Sequence, residues 1–209
     1  MRNPCLIARS PTHEAQRTVV VYGVSRGGTS LAAGVCKGLG VPMNRRDERQ
    51  DPNHEDPAFK FSDPDRLSEA IRKRNASSDV WGFKWPDALL NKDILEKLLR
   101  NPHYIFVYRN IAAVADSVVE KGRGQAPGAV HRATKYYALM DELLNKTDRP
   151  VLLLNYEAAL EAPDKTIAQI AEFVGLPVSE KAREMIGSGD KYVFSTGRQA
   201  DWHELTSKR

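Results

Sequence analysis

Residues Thr18 to Leu31 read TVVVYGVSRGGTSL, a β-branched run that stops at Gly23 and reopens after SRGGTS into an apolar helical pattern. The pattern predicts a buried strand turning tightly into a helix, which brings free backbone N–H groups and the positive end of the helix dipole to one spot. An anionic group fits there. Gly23, Gly27 and Gly28 permit the turn and a close approach of the backbone, Arg26 adds a cation, and Thr29 and Ser30 add hydroxyl donors. Gly23 to Ser30 also meets a degenerate Walker A spacing, G-x-x-x-x-G-x-S. Position 29, where a nucleoside triphosphatase carries lysine, is threonine, and the cation sits three residues earlier inside the loop. That departure argues against an ATPase or kinase. Read alone, the segment also satisfies an ordinary glycine-rich strand-to-helix turn.

His103 to Glu120, HYIFVYRNIAAVADSVVE, repeats the strand-to-helix pattern, with Arg109 at the strand end and Ser117 eight residues on. Eight residues is just over two helical turns, so spacing by itself does not bring Ser117 beside Arg109. Ligands of open parallel sheets bind outside the carboxyl ends of the strands, where both Arg26 and Arg109 fall. Two arginines then face one crevice. The plainer readings are a surface ion pair for Arg109 and a solvated helix position for Ser117.

With these segments in this order, the chain resembles the sulfotransferases that use 3′-phosphoadenosine 5′-phosphosulfate (PAPS). SRGGTS is similar to the family's loop for the 5′-phosphosulfate, which implicates Ser25, Arg26, Gly27, Gly28, Thr29 and Ser30, with Arg26 in the lysine or arginine position. Arg109 and Ser117 match its arginine-plus-eight serine signature for the 3′-phosphate. WGFKWP (Trp81 to Pro86) resembles its K-x-P element, with Lys84 as the lysine. Leu152 to Val178, LLLNYEAALEAPDKTIAQIAEFVGLPV, is similar to a further segment of the family, and STGRQADWHELT (Ser195 to Thr206) resembles the loop that closes over the nucleotide, which implicates Gly197 and Arg198. The resemblance spans nearly the whole chain. It implies a three-layer, P-loop NTPase-like α/β fold, PAPS as co-substrate, adenosine 3′,5′-bisphosphate as product, and transfer of a sulfuryl group to a hydroxyl or amine of a small-molecule or carbohydrate acceptor. Three departures stand out. Ile111 replaces a proline after the Arg-Asn pair, Ser195 and Thr196 stand where the closing loop carries Arg-Lys, and Ala200 replaces its second glycine. Arg198 is the cation available to substitute.

Sulfuryl transfer requires a base for the acceptor, in-line positioning, and stabilisation of charge on the leaving phosphate. Arg26 and the loop amides suit the last task, and the resemblance puts Lys84 near the reacting centre; otherwise Lys84 is a strand-end lysine reaching solvent. For the base, the resemblance points to the region of NHEDP (Asn53 to Pro57), with Glu55 first and His54 second, and with Asp56 and Asp51 as alternatives. A well-solvated glutamate is a weak base for an alcohol, so the role requires partial burial or proton transfer concerted with attack. A solvated charged loop is the plain alternative. No His/Cys ligand spacing indicates a metal.

The chain has 209 residues, 41% hydrophobic and 28% charged, which suits one compact domain over residues 1–209, with 1–17 as a flexible N-terminal segment. A net charge of +4 without a long basic run does not indicate nucleic acid as a partner. Two cysteines, Cys5 and Cys36, read as reduced thiols; no stretch has membrane-spanning length or signal-peptide character, and the expected setting is cytoplasmic. Strands are expected at Thr18 to Tyr22, Val80 to Phe83, Tyr104 to Tyr108 and Val151 to Leu154. Helices are expected at Thr29 to Leu39, Ser68 to Arg74, Lys92 to Arg100, Ile111 to Lys121, Ala129 to Asn145 and Asp164 to Val174. The alternation predicts a mostly parallel sheet with helices on both faces. Asn44 to Pro57 and Lys121 to Gly128 are polar and read as loops rimming the site. Two other functions fit parts of the pattern: a P-loop small-molecule kinase, and a catalytically silent module that binds an adenosine bisphosphate. The acceptor and the oligomeric state are not encoded in any motif.

Overall fold

The computed structural model describes residues 3–12, 14–43, 54–60 and 62–187. In chain order, β1 (Cys5–Arg9) and β2 (Arg17–Tyr22) precede α1 (Thr29–Gly38), and after α2 (Pro64–Ser77) come β3 (Val80–Lys84) and α3 (Lys92–Leu98). There follow β4 (Pro102–Tyr108), α4 (Ile111–Glu120), α5 (Ala126–Lys146), β5 (Val151–Asn155), α6 (Tyr156–Glu161), α7 (Pro163–Val174) and α8 (Glu180–Gly187). Among the described residues the strands make one sheet in the order β1-β5-β4-β2-β3. β2 runs parallel to β3 and β4, and β4 parallel to β5; β1 alone is antiparallel.

The β2 run is buried along its whole length because both sheet faces are covered. Alternate residues divide between two cores. Val19 and Val21 meet Leu31 and Val35 of α1 and Ile167, Ile170 and Phe173 of α7, with Ala182 and Ile186 of α8 completing that layer. Val20 and Tyr22 face the opposite layer, where Leu67 and Ile71 of α2, Leu95 of α3, Val114 of α4 and Met140 of α5 pack with Phe59, Trp81 and Phe83. The fold is therefore a three-layer α/β sandwich. Helix α1 leaves β2 toward one face and α4 leaves β4 toward the other, so the neighbouring strand ends β2 and β4 bracket a crevice of the kind where α/β sheets bind ligands.

The strand expectations agree with the structure to within two residues at each end. The expected flexible segment at residues 1–17 does not hold: Cys5–Arg9 is a strand, with Cys5 opposite Leu154 and Ile7 opposite Leu152. Its sequence hides this because only Cys5 of the five is buried, leaving no alternation to read. Helix α2 starts four residues early, since Asp63 caps it through the N–H groups of Asp65 (2.9 Å) and Arg66 (3.3 Å) and Pro64 occupies the first turn. Helix α5 starts at Ala126, so the loop expected over Lys121 to Gly128 shrinks to Lys121–Gln125. Helices α6 and α8 were not expected. Both are short, six and eight residues, below the length at which helical periodicity stands out.

Candidate functional site

The β2–α1 turn is shaped by contacts that leave no room for side chains. Gly28 has φ +87°, and a Cβ there would lie 2.1 Å from the Tyr156 ring. At Gly23 a Cβ would come within 2.6 Å of Thr29 Cγ2 and 3.0 Å of the Val107 carbonyl, so β2, β4 and α1 pack directly on one another. The Gly27 N–H closes the turn onto the Val24 carbonyl at 2.9 Å. Thr29 is the buried first residue of α1, while Ser25 and Ser30 are half-buried. Gly28 at the N-cap carries no side chain to cap with, and the first turn of α1 has no acidic residue, so nothing there competes with an incoming anion.

Arg26 is a non-glycine residue at φ +67°, a left-handed conformation that the surrounding turn must hold in place. Its Nε donates to Ser117 Oγ at 3.0 Å, and its carbonyl accepts from Arg109 Nη1 at 2.8 Å. Arg26, Arg109 and Ser117 thus converge. The serine reaches Arg26 rather than Arg109. Burial depresses the Arg26 pKa most, followed by the positive charges of Arg123 and Arg109. Arg109 lies over the Tyr156 ring, 4.9 Å from its centroid, and its Nε is buried without a hydrogen-bond partner among the described residues.

The β4–α4 junction is clamped by groups that sequence reading missed. The Tyr137 hydroxyl donates to the Arg109 carbonyl (2.6 Å) and accepts from its N–H (3.0 Å), and Glu157 accepts from the Asn110 N–H at 3.0 Å. Asn110 in turn caps α4 through Ala112 and Ala113. Ile111, in place of proline, is the first residue of α4 and leaves a regular helix start. Tyr156 belongs to the segment whose likeness was noted in the sequence; its packing on Gly28 and Arg109 gives that likeness a physical basis. The signal for Tyr137 is absent from any local pattern, because only the α4–α5 hairpin brings it back to β4.

Lys84, at the end of β3 and 3% exposed, donates to Ser30 Oγ at 3.2 Å and pairs with Glu55 Oε1 at 2.9 Å. A buried ammonium therefore joins the glycine-rich loop to the carboxylate named as first candidate base. Glu55 is about one-third exposed at its side chain, whereas its neighbours His54 and Asp56 are buried. Asp56 forms a buried ion pair with Arg74, accepts from the Ala58 N–H at 3.1 Å, and donates its own N–H to the Lys84 carbonyl at 3.1 Å. Asp56 is consumed by structure, so it is no longer a candidate base. Asp51, Gly197, Arg198 and the rest of Ser195 to Thr206 lie outside the described residues.

Among the described residues no helix is long and apolar enough to cross a membrane. No curated protein matches the chain. Among solved structures, the chain is similar in fold to the sulfotransferase domain of the Synechococcus PCC 7002 olefin synthase, with a TM-score of 0.60 and 16% identity over 83% of this chain and 78% of that one. The sulfotransferase domain from the curacin biosynthetic pathway gives 0.59 and 14%, covering 83% and 77%. Sulfotransferase STF9 from Mycobacterium avium gives 0.58 and 10%, covering 84% and 68%. At these identities the likeness is one of fold. Sequence carries the assignment further: residues 39–180, which include Lys84, Arg109 and Ser117, match the profile of the sulfotransferase family, and by that match the chain belongs to it.

Proposed function

We propose that the protein transfers a sulfuryl group from PAPS to a hydroxyl or amine of a small-molecule or carbohydrate acceptor, working in the cytoplasm and releasing adenosine 3′,5′-bisphosphate. The observation that supports this reading is the bridge from Ser30 through Lys84 to Glu55, which joins a cation and a carboxylate to the glycine-rich turn. The donor set fits a doubly phosphorylated nucleotide. Arg26 and Arg109 form no ion pair among the described residues, and the Arg109 Nε is buried without a partner. Both cysteines are free and buried, in keeping with a reducing compartment.

PAPS supplies an activated S–O bond. Glu55 accepts the acceptor's proton as the new O–S or N–S bond forms. Lys84, Arg26 and the N-terminal amides of α1 hold the negative charge that collects on the phosphate oxygen as the old S–O bond breaks. Arg109 and Ser117 hold the 3′-phosphate and so fix the nucleotide for in-line attack.

The test incubates purified protein with sulfate-labelled PAPS and a mixed panel of alcohols, amines and sugars. Label transferred to any member is expected. In parallel, adenosine 3′,5′-bisphosphate should raise the melting temperature without magnesium, because cations and N–H groups form the site. Stabilisation by ATP, and only with magnesium, would support the kinase alternative. Bisphosphate binding with no transfer to any acceptor would support the silent module.

A further inference from the structure

Strand β4 stops pairing at Tyr108, which stands opposite Asn155, so the N–H and C=O of Arg109 lie one residue beyond the sheet ladder. Arg109 is half-buried, and main-chain polar groups placed there need partners. One hydroxyl serves both. Tyr137, 28 positions further on, accepts from the Arg109 N–H at 3.0 Å and donates to its carbonyl at 2.6 Å. From this pinned backbone the Arg109 side chain reaches the Arg26 carbonyl at 2.8 Å and lies over the Tyr156 ring. Main chain and guanidinium are thereby held from opposite ends.

Helix α5 does not need that hydroxyl for its own place. Ala133, Tyr136, Met140 and Leu143 bury its inner face in the core that contains Phe83 and Phe106. The Tyr136 hydroxyl donates to Asp87, which also pairs with Arg132 at 2.6 Å, so α5 is tied to the segment after β3 as well. The Tyr137 ring packs on Tyr108 with centroids 5.1 Å apart, a contact that phenylalanine would keep. The hydroxyl is therefore separable from the fold, and both of its bonds go to one residue of the site. We infer that Tyr137 is a positioning residue for nucleotide binding: it sets the direction in which Arg109 leaves β4 and so aims the guanidinium at the 3′-phosphate of the donor. This rests on the nucleotide reading above and assigns a residue that no motif of the sequence marked.

The test compares adenosine 3′,5′-bisphosphate with adenosine 5′-phosphate, which lacks the 3′-phosphate, by calorimetry. It uses the unaltered protein, Tyr137→Phe, Arg109→Ala, the double variant and Thr134→Ala. Thr134 is an exposed residue of the same helix whose hydroxyl bonds the Val130 carbonyl at 3.0 Å, and it controls for a lost side-chain hydrogen bond in α5. Tyr137→Phe should weaken the bisphosphate about tenfold and the 5′-phosphate less than about twofold. In the Arg109→Ala background the same change should alter bisphosphate affinity less than about twofold, because the group it aims is gone. Thr134→Ala should change neither nucleotide. Equal loss for both nucleotides, failure of Tyr137→Phe to fold included, would make the hydroxyl part of the fold and overturn the assignment. So would a loss that persists without the Arg109 side chain, or no loss beyond the Thr134→Ala control. If the unaltered protein does not distinguish the two nucleotides, the 3′-phosphate site itself falls, and the role of Tyr137 with it.

Discussion

Arg26 and Ser117 are 91 positions apart in sequence and joined by a 3.0 Å hydrogen bond, Nε to Oγ. The bond ties the loop after β2 to the helix after β4 across the crevice where the sheet's connections part to opposite faces. Under the proposed function, Arg26 contributes charge to the ground-state anion and to the departing phosphate alike. Arg26→Ala should therefore lower bisphosphate affinity and turnover together, whereas Ser117→Ala, which removes one neutral donor, should weaken the bisphosphate by about 1 kcal/mol. Titration calorimetry and sulfate transfer measured on the same preparations check both. Turnover loss in Arg26→Ala with unchanged affinity would detach the loop from ground-state binding.

On the proposed function, Arg109 is the residue that distinguishes the two phosphates of the nucleotide. Its Nε is buried without a partner among the described residues and its guanidinium lies over the Tyr156 ring, so under the proposed function it gives a charge-assisted bond to the 3′-phosphate. Arg109→Ala should weaken adenosine 3′,5′-bisphosphate by about 2 to 4 kcal/mol and adenosine 5′-phosphate far less. Equal losses for both nucleotides would make Arg109 a structural residue that holds Arg26.

The central strands and the turn at Gly23 to Ser30 were legible because a doubly covered sheet demands continuous apolar runs and a tight turn demands glycine. Tertiary partners were not. β1 depends on the unpaired edge of β5, and Tyr137 reaches Arg109 only through the α4–α5 hairpin, so neither leaves a local trace. The strand-to-helix pattern put Arg109 at the crevice, but only likeness to a family tied Ser117 to the same site. Eight residues of spacing say nothing of the Arg26 side chain, which arrives from another strand to meet the serine. Lys84 and Glu55 were each named, yet their contact follows from Asp56, whose N–H bond to the Lys84 carbonyl pins the loop to the end of β3.

The Asp56–Arg74 pair is buried on both sides, with Arg74 also lying near the Trp81 ring. Breaking such a pair strands a charge without water, so Arg74→Met should lower stability by about 3 to 5 kcal/mol. Combining it with Asp56→Asn should recover much of the loss, because the orphaned carboxylate is gone. Urea unfolding of the two single variants and the double variant measures the coupling. Additive losses would mean that the two side chains act independently.

Burial pushes the thiols of Cys5 and Cys36 up to about 12, so neither forms an appreciable thiolate at pH 8. The native protein should give no fast reaction with a disulfide reagent at that pH, and both thiols should react in denaturant. A rapid native titre would place one of them at the surface.

Catalysis and nucleotide binding should separate at Glu55. Glu55→Gln keeps the size and a hydrogen bond to Lys84 but cannot accept a proton, so turnover should fall about a hundredfold or more with bisphosphate affinity nearly unchanged. His54 is buried at φ +56° beside it, so His54→Ala tests the other candidate and also the loop that carries Glu55. Melting temperatures separate those effects. If Glu55→Gln keeps near-normal turnover while a folded His54→Ala loses it, the base is His54. If both retain turnover, the carboxylate on Lys84 serves to anchor that lysine against Ser30, and proton removal belongs to another group in the crevice.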